Sequence, residues 1–137
     1  MRPDAIAMRM LCSAFLLGMS LMTGVVEAGS WSRWMSSDCY RSIEYRVRYM
    51  RPAGSERHEW IIEIRNQYRE AAHFRWVLAA SKAPKPRVNN EMNLRAGGHL
   101  RRNSITEAGS REQVRLYAAN LRLGGKNGAD RACDVSK

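Results

Sequence analysis

The histidines and glutamates of the chain are the residues best suited to acid–base chemistry. His58 is followed by Glu59 and Glu63, and His73 lies further along the chain where a hairpin could bring it opposite His58. A histidine and a carboxylate that face each other can exchange protons with a substrate, as small basic secreted ribonucleases do. These residues give one candidate function, a small secreted ribonuclease-like hydrolase, which is the alternative to the non-enzymatic function that the rest of the sequence favours. The simpler interpretation is a set of ordinary surface histidines, because neither this pair nor His99 has the spacing of a metal site.

Other catalytic chemistries find no matching motif in the sequence. No serine lies in a Gly-x-Ser-x-Gly elbow, and the aspartates beyond residue 30 are confined to the two ends of that part of the chain. The paired glycines at 97–98 and 124–125 lack the strand and helix context of a dinucleotide site, so they indicate turns. The sequence therefore favours a protein without catalytic activity, cofactor or metal.

Arginine dominates the charge of the chain. Lys and Arg number 23 against 13 Asp and Glu among 137 residues, which gives a formal net charge of +10. The planar guanidinium fork matches carboxylate and phosphate groups, and a basic face attracts polyanions. We predict binding residues on the outer faces of three adjacent strands and in the strand region beyond them: Arg46, Arg48, Arg65, Arg75, Arg101 and Arg102.

The sign of this charge limits the partners. It predicts an anionic component of the cell envelope, such as lipopolysaccharide or teichoic acid, or an acidic protein. Nucleic acid has the required charge, but no recognition-fold signature is present. The alternative is a face that only keeps the protein soluble, because glutamates are interspersed among the arginines: Glu44, Glu59, Glu63 and Glu70.

The segments that must position these residues have the period of β-strands. Residues 43–49, 58–66 and 71–80 alternate in polarity, with β-branched and aromatic side chains on one face. Weaker alternation follows at 88–94, 99–105 and 113–123, and the last of these slips near Asn120. Residues 113–122 also fit helical spacing, but we prefer a strand because no capping signal accompanies them.

Proline and glycine separate the predicted strands. They break the pattern at 51–55, in a basic loop at 81–87 and at 96–98, and 66–70 is a plausible turn. Such a series predicts an all-β fold, a small antiparallel β-sandwich or barrel of about six or seven strands. The periodicity also names the core: Tyr45, Val47, Trp60, Ile62, Ile64, Phe74, Trp76, Leu78, Val114 and Leu116.

Residues 1–28 have the parts of a secretory leader. Two arginines precede an apolar run from Met10 to Met22, and small or aliphatic residues precede the bond after Ala28. We expect cleavage there, then an N-terminal arm at 29–38 and a single β domain at 39–137; the alternative is an uncleaved anchor. The leader has equal numbers of acidic and basic residues, so its removal leaves the net charge at +10.

Two cysteines remain after the leader is removed, Cys39 and Cys133, and such a pair in an exported protein predicts one disulfide. Closing a loop of this length stabilises a domain by about 4 to 5 kcal/mol in the chain-entropy model. The alternative, a pair of thiols in a metal site, lacks a further Cys or His at ligand spacing. These features together predict a secreted or periplasmic, non-enzymatic binding module with a basic surface for anionic partners.

Overall fold

The structure is a computed structural model that describes residues 29–80, 86–107 and 113–134. The expected leader therefore lies outside the described residues, as does most of the basic loop. Within the described ranges the chain forms eight strands, and no helix there is long and apolar enough to cross a membrane. The strands are β1 (Met35–Ser36), β2 (Ile43–Gly54), β3 (Arg57–Asn66), β4 (Ala72–Ala80), β5 (Asn90–Leu94), β6 (His99–Glu107), β7 (Val114–Leu123) and β8 (Ala129–Asp130).

The strands form two antiparallel sheets of four strands each. Sheet A has the order β1-β2-β3-β6, and sheet B has the order β5-β4-β7-β8. Apolar side chains from one face of each sheet meet in a common core. The prediction of an all-β antiparallel sandwich is confirmed, and the strand alternative for residues 113–122 is confirmed over the helix.

The core contains the residues that strand periodicity names. All of them are buried except Val114, which is partly buried and packs against the others. Trp60 is 1% exposed, and its indole nitrogen donates a hydrogen bond to Thr106 Oγ1 at 3.1 Å, because a buried N–H needs an acceptor. The structure adds further buried side chains to this core, among them Ile43, Tyr49, Met92, Leu94 and Leu121.

The first hairpin differs from the prediction at its turn. The sequence places a strand break at 51–55, but β2 continues to Gly54 and pairs with β3 as far as Arg57. Two register shifts, between Tyr49 and Arg51 and between Pro52 and Gly54, accompany this extension. Such bulges let a strand accommodate proline, which cannot donate a ladder hydrogen bond.

Asn66 organises the corner at which the chain leaves sheet A. Its fully buried amide nitrogen donates to the carbonyls of Glu70, Leu94 and Arg95 at 2.8, 3.1 and 3.2 Å. Its amide oxygen accepts from the Tyr68 N–H at 2.9 Å. The chain therefore crosses to sheet B instead of forming a second hairpin, and β4 pairs with β5 and β7.

The two ends of the described chain close one side of the sandwich. Cys39 and Cys133 form the predicted disulfide, with an S–S distance of 2.06 Å. The Asp38 N–H donates to the Leu116 carbonyl at 3.1 Å, and its carboxylate accepts from the Ala118 N–H at 2.9 Å. These bonds attach the segment before β2 to the edge of β7.

Candidate anion-binding site

The structure divides the predicted binding arginines among three places. Four lie on the outer face of sheet A: Arg46, Arg48, Arg65 and Arg101. The expectation that Arg75 adjoins them is wrong, because β4 belongs to sheet B and places this side chain on the outer face of the other sheet. Arg102 lies opposite the buried Ile62 and therefore points toward the inner side at the free edge of β6.

Glu63 lies at the centre of the outer face of sheet A. The strand register places Arg46 on one side of it and Arg101 on the other. Arg46 Nη2 lies 3.2 Å from Glu63 Oε1, and Arg101 Nη2 lies 3.0 Å from Oε2. Burial opposes ionisation of this carboxyl, but the hydrogen bonds from both arginines outweigh it and lower the pKa of Glu63 below its ordinary value. One carboxylate thus binds two guanidinium groups.

Two indole rings cover the same face and alternate with the arginines. The Trp34 ring lies 3.9 Å from the Arg65 guanidinium carbon and 4.8 Å from that of Arg46. The Trp31 ring lies 4.7 Å from the Arg46 guanidinium carbon and 5.1 Å from that of Arg101. We call this series, in the order Arg65, Trp34, Arg46, Trp31 and Arg101, the indole–guanidinium stack. Each contact of this type contributes about 0.5 to 1 kcal/mol at an exposed site.

Backbone pairing of the N-terminal arm puts the indoles in place. β1 extends sheet A beside β2, with Met35 opposite Tyr45. The Ser32 N–H donates to the Val47 carbonyl at 2.8 Å, and the Ser32 hydroxyl accepts from the Val47 N–H at 3.0 Å. Trp34 precedes Met35 and so falls on the outer face, since successive strand residues point to opposite sides.

Most of the sheet A arginines are therefore held by other side chains of the protein. The side chains of Arg46 and Arg65 are 29% and 31% exposed, and Arg65 Nε donates to Glu44 Oε1 at 3.2 Å. Within the described ranges, the buried Nε atoms of Arg46 and Arg48 have no hydrogen-bond partner. The Arg46 guanidinium lies between two aromatic rings, and its Nη2 donates to Glu63.

The outer face of sheet B holds a small basic pocket. Its volume is about 310 Å³, and we define it by the side chains that line it: His73, Arg75, Glu91, Asn120, Arg122 and Lys126. Arg75 Nη2 lies 3.7 Å from Glu91 Oε1, and both side chains are about half exposed, at 51% and 55%. Arg122 is held from two sides, because its Nε donates to Asp130 Oδ1 at 3.1 Å and its Nη1 donates to the Lys126 carbonyl at 3.0 Å.

A β-bulge at Asn120 brings Arg122 into this pocket. Leu116 and Ala118 point into the core before the bulge, whereas Leu121 does so after it. The register shift opposite residues 73–75 and the φ of 54° at Asn120 mark the extra residue. Without it, the side chain of residue 122 would point toward the core. Asparagine tolerates this left-handed conformation better than most residues.

Arg122, Lys126 and Asn120 are pocket residues that the sequence-based site missed. The slip near Asn120 is the one signal in the sequence that points to them, because it reverses the face on which Arg122 lies. The pairing of His73 with Arg122 depends on β4 lying beside β7, a contact between strands far apart in the chain. Alternation within each strand carries no information about that neighbour.

The two histidines of the hydrolase alternative lie far apart in the fold. His58 is on β3 of sheet A, where its Nδ1 lies 3.2 Å from the Tyr49 hydroxyl. His73 is on the outer face of β4 in sheet B. Glu59 binds Arg51 Nε at 2.7 Å. The structure therefore does not bring His58 and His73 together as an acid–base pair.

A larger cleft of about 600 Å³ opens between β6 and β5, the edge strands of the two sheets. Trp76 and Arg102 line it together with the carboxylates Glu59 and Glu91. Its charged side chains are two carboxylates and one arginine, so, unlike the basic pocket, it has no excess of positive charge to attract an anion. Among the described residues, no group of three or more His, Cys, Asp or Glu side chains is arranged to hold a metal ion.

Comparison of the chain with protein-family models, with curated proteins and with solved structures finds no match.

Proposed function

We propose that this protein is an exported, non-enzymatic binding module that holds anionic partners through the basic pocket of sheet B. The observation that supports this function is the convergence of Arg75, Arg122, Lys126 and His73 on one pocket of the outer face. Donors of this kind match the oxygen atoms of phosphate, sulfate and carboxylate groups. The two acidic side chains nearby, Glu91 and Asp130, offset only part of this charge.

The pocket is better suited to this role than the indole–guanidinium stack. In the stack, Arg101 is 59% exposed but binds the buried Glu63 at 3.0 Å, and Arg46 and Arg65 are only 29% and 31% exposed. In the pocket, the 3.7 Å contact between Arg75 and Glu91 is loose, and both of these side chains are exposed. An exposed contact of this kind contributes at most about 1 kcal/mol, so a ligand can replace it at low cost. Arg115 is also exposed on this face, opposite Ala79, and extends the basic surface beyond the pocket.

The proposed location follows from the leader and the disulfide. A bond between Cys39 and Cys133 is consistent with an oxidising compartment, which agrees with the leader expected at residues 1–28. A secreted or periplasmic protein encounters anionic envelope polymers and the acidic surfaces of other exported proteins. We therefore propose an anionic envelope component or an acidic protein as the natural partner.

Titration with a polyphosphate of defined length tests this function. Binding should weaken steeply as salt rises, because ions screen exposed charges and binding to a polyanion releases its counterions. Changing Arg75, Arg122 and Lys126 together to Gln should lower the affinity by roughly tenfold or more.

The matched control changes three exposed arginines outside the pocket to Gln, namely Arg33, Arg41 and Arg69. This variant has the same net charge as the pocket variant, so it separates a local site from the general attraction of a basic protein. We expect it to retain most of the affinity. An equal loss in the two variants would show that the pocket has no special role.

A further inference from the structure

We propose that the basic pocket binds a single tetrahedral oxyanion, a phosphate or sulfate group, and that Glu91 competes with this group for Arg75. This inference rests on the proposed function and narrows it to one chemical group. A volume of about 310 Å³ lies at the lower end of the range for small-molecule sites, which begins near 300 Å³. The pocket therefore has room for one such group, and the cationic side chains that line it are close enough together to act on a single group.

Arg122 is the preorganised donor of the site. Asp130 and the Lys126 carbonyl hold its Nε and Nη1, whereas its Nη2 has no hydrogen-bond partner among the residues that the structure describes and is available to a ligand. A guanidinium that is held in this way loses less conformational freedom when it binds than a mobile one. The ammonium of Lys126 forms no ion pair within the described part of the chain, and it supplies the second charge.

Glu91 occupies a position in which it would compete with a bound anion. Its carboxylate lies against Arg75 in the pocket, so an incoming anion meets a like charge and must displace it. Glu91 also lines the larger cleft, so its exposed side chain borders open space on both sides of β5.

Removing this competitor should strengthen binding. Glu91→Gln keeps the size of the side chain and removes its charge, so we expect about twofold to fivefold tighter binding of phosphate, the factor that corresponds to an exposed ion pair. Mutations that merely damage a site weaken binding, so this sign separates competition from structural disturbance. Glu59→Gln is the control, because Glu59 lines only the larger cleft and binds Arg51.

Two further variants test the donors. Arg122→Gln should weaken phosphate binding by roughly tenfold, the expected loss of a charge-assisted hydrogen bond. Arg122 also binds Asp130 in β8, so thermal unfolding of this variant is measured together with its affinity to separate loss of a donor from loss of the fold. Lys126→Gln provides the second case, since its side chain forms no ion pair among the described residues. It should weaken binding without changing thermal stability.

The measurement is an NMR titration of the exported protein with inorganic phosphate and, separately, with sulfate at constant ionic strength. We expect saturable 1:1 shifts confined to residues 120–126, the neighbouring part of β4 and the part of β5 around Glu91. Binding should be tighter in Glu91→Gln and unchanged in Glu59→Gln. A second arm uses phosphatidylglycerol vesicles, which shows whether a lipid phosphate reaches the pocket. Non-saturating shifts, or equal effects of the two glutamate variants, would overturn the proposal. If polyphosphate binding still depended on the pocket residues in that case, only the single-oxyanion site would fail and the proposed function would stand.

Discussion

Glu63 on sheet A and Glu91 on sheet B each lie beside an arginine of a neighbouring strand, yet their surroundings differ. The Glu63 side chain is 7% exposed and binds Arg46 and Arg101 at 3.2 and 3.0 Å, with indole rings over both guanidiniums. The Glu91 side chain is 55% exposed and lies 3.7 Å from Arg75. The same residue types therefore form a close, covered cluster on one face and a loose, exposed contact on the other, where we propose that a ligand binds. Burial and aromatic cover make the difference.

Glu63→Gln should change the stability of the protein more than any other substitution considered on either face. The nearly buried carboxylate shared by the partly buried Arg46 and the more exposed Arg101 would be lost, so the free energy of unfolding should fall by roughly 2 to 3 kcal/mol. This range lies below that of a fully buried pair because both arginines remain partly exposed. Urea denaturation measures the change. Glu91→Gln is the counterpart on sheet B and should alter stability by no more than about 0.5 kcal/mol.

Trp34→Ala should have the next largest effect. The indole contacts the guanidiniums of Arg46 and Arg65, so its loss should cost about 1 to 2 kcal/mol. Hydrogen exchange should also become faster at the amides of Ser32 and Val47, because the arm would be held less firmly. Arg33→Ala changes an exposed neighbour in the same arm and should leave both quantities unchanged. If the amides of Ser32 and Val47 exchange at the same rates in Trp34→Ala as in the parent protein, the backbone pairing alone holds the arm.

Asn120→Ala tests the bulge that exposes Arg122. Alanine lacks the polar side chain that helps asparagine adopt a positive φ, so stability should fall by about 1 kcal/mol. Asn120→Gly should retain the fold, because glycine adopts this conformation without steric cost. Thermal unfolding of the two variants provides the comparison. If the glycine variant is less stable than the alanine variant, the positive φ at residue 120 is not what makes asparagine favourable there.

The pH dependence of stability should show the smallest effect. The pKa of Glu63 is lower in the folded protein than in the unfolded chain, so its contribution is complete above the unfolded value of about 4.3. That contribution is lost as the pH falls through the lowered folded value. The difference in stability between the parent protein and Glu63→Gln should therefore shrink in acid. A constant difference from neutral pH down to pH 3 would contradict this assignment.

The sequence predicts the fold well because strand alternation is a local signal. Trp60 and Phe74 follow the period of two, and both are buried between the sheets. The two cysteines that follow the expected leader likewise predict the disulfide between them. Which sheet a strand joins is not a local property of its sequence. Alternation alone therefore places Arg75 beside Arg46, whereas in the structure the chain crosses to the other sheet after the buried Asn66.

The site was harder to predict for the same reason. Arg46 faces outward as its position in the strand pattern indicates, but its cover by Trp31 depends on the pairing of the arm with β2. The arm shows no period of its own in the sequence. The neighbours of Arg122 depend on a bulge and on a long-range strand pair, which alternation cannot identify.

The most direct test of the central claim compares one double variant on each face at equal net charge. Arg122→Gln with Lys126→Gln alters the basic pocket, and Arg48→Gln with Arg101→Gln alters sheet A. Polyphosphate affinity is measured for both over a range of salt concentrations. We expect the sheet B variant to lose most of the affinity and much of the salt dependence, whereas the sheet A variant should keep both. A loss confined to the sheet A variant would contradict this expectation and return the binding role to the arginines of sheet A.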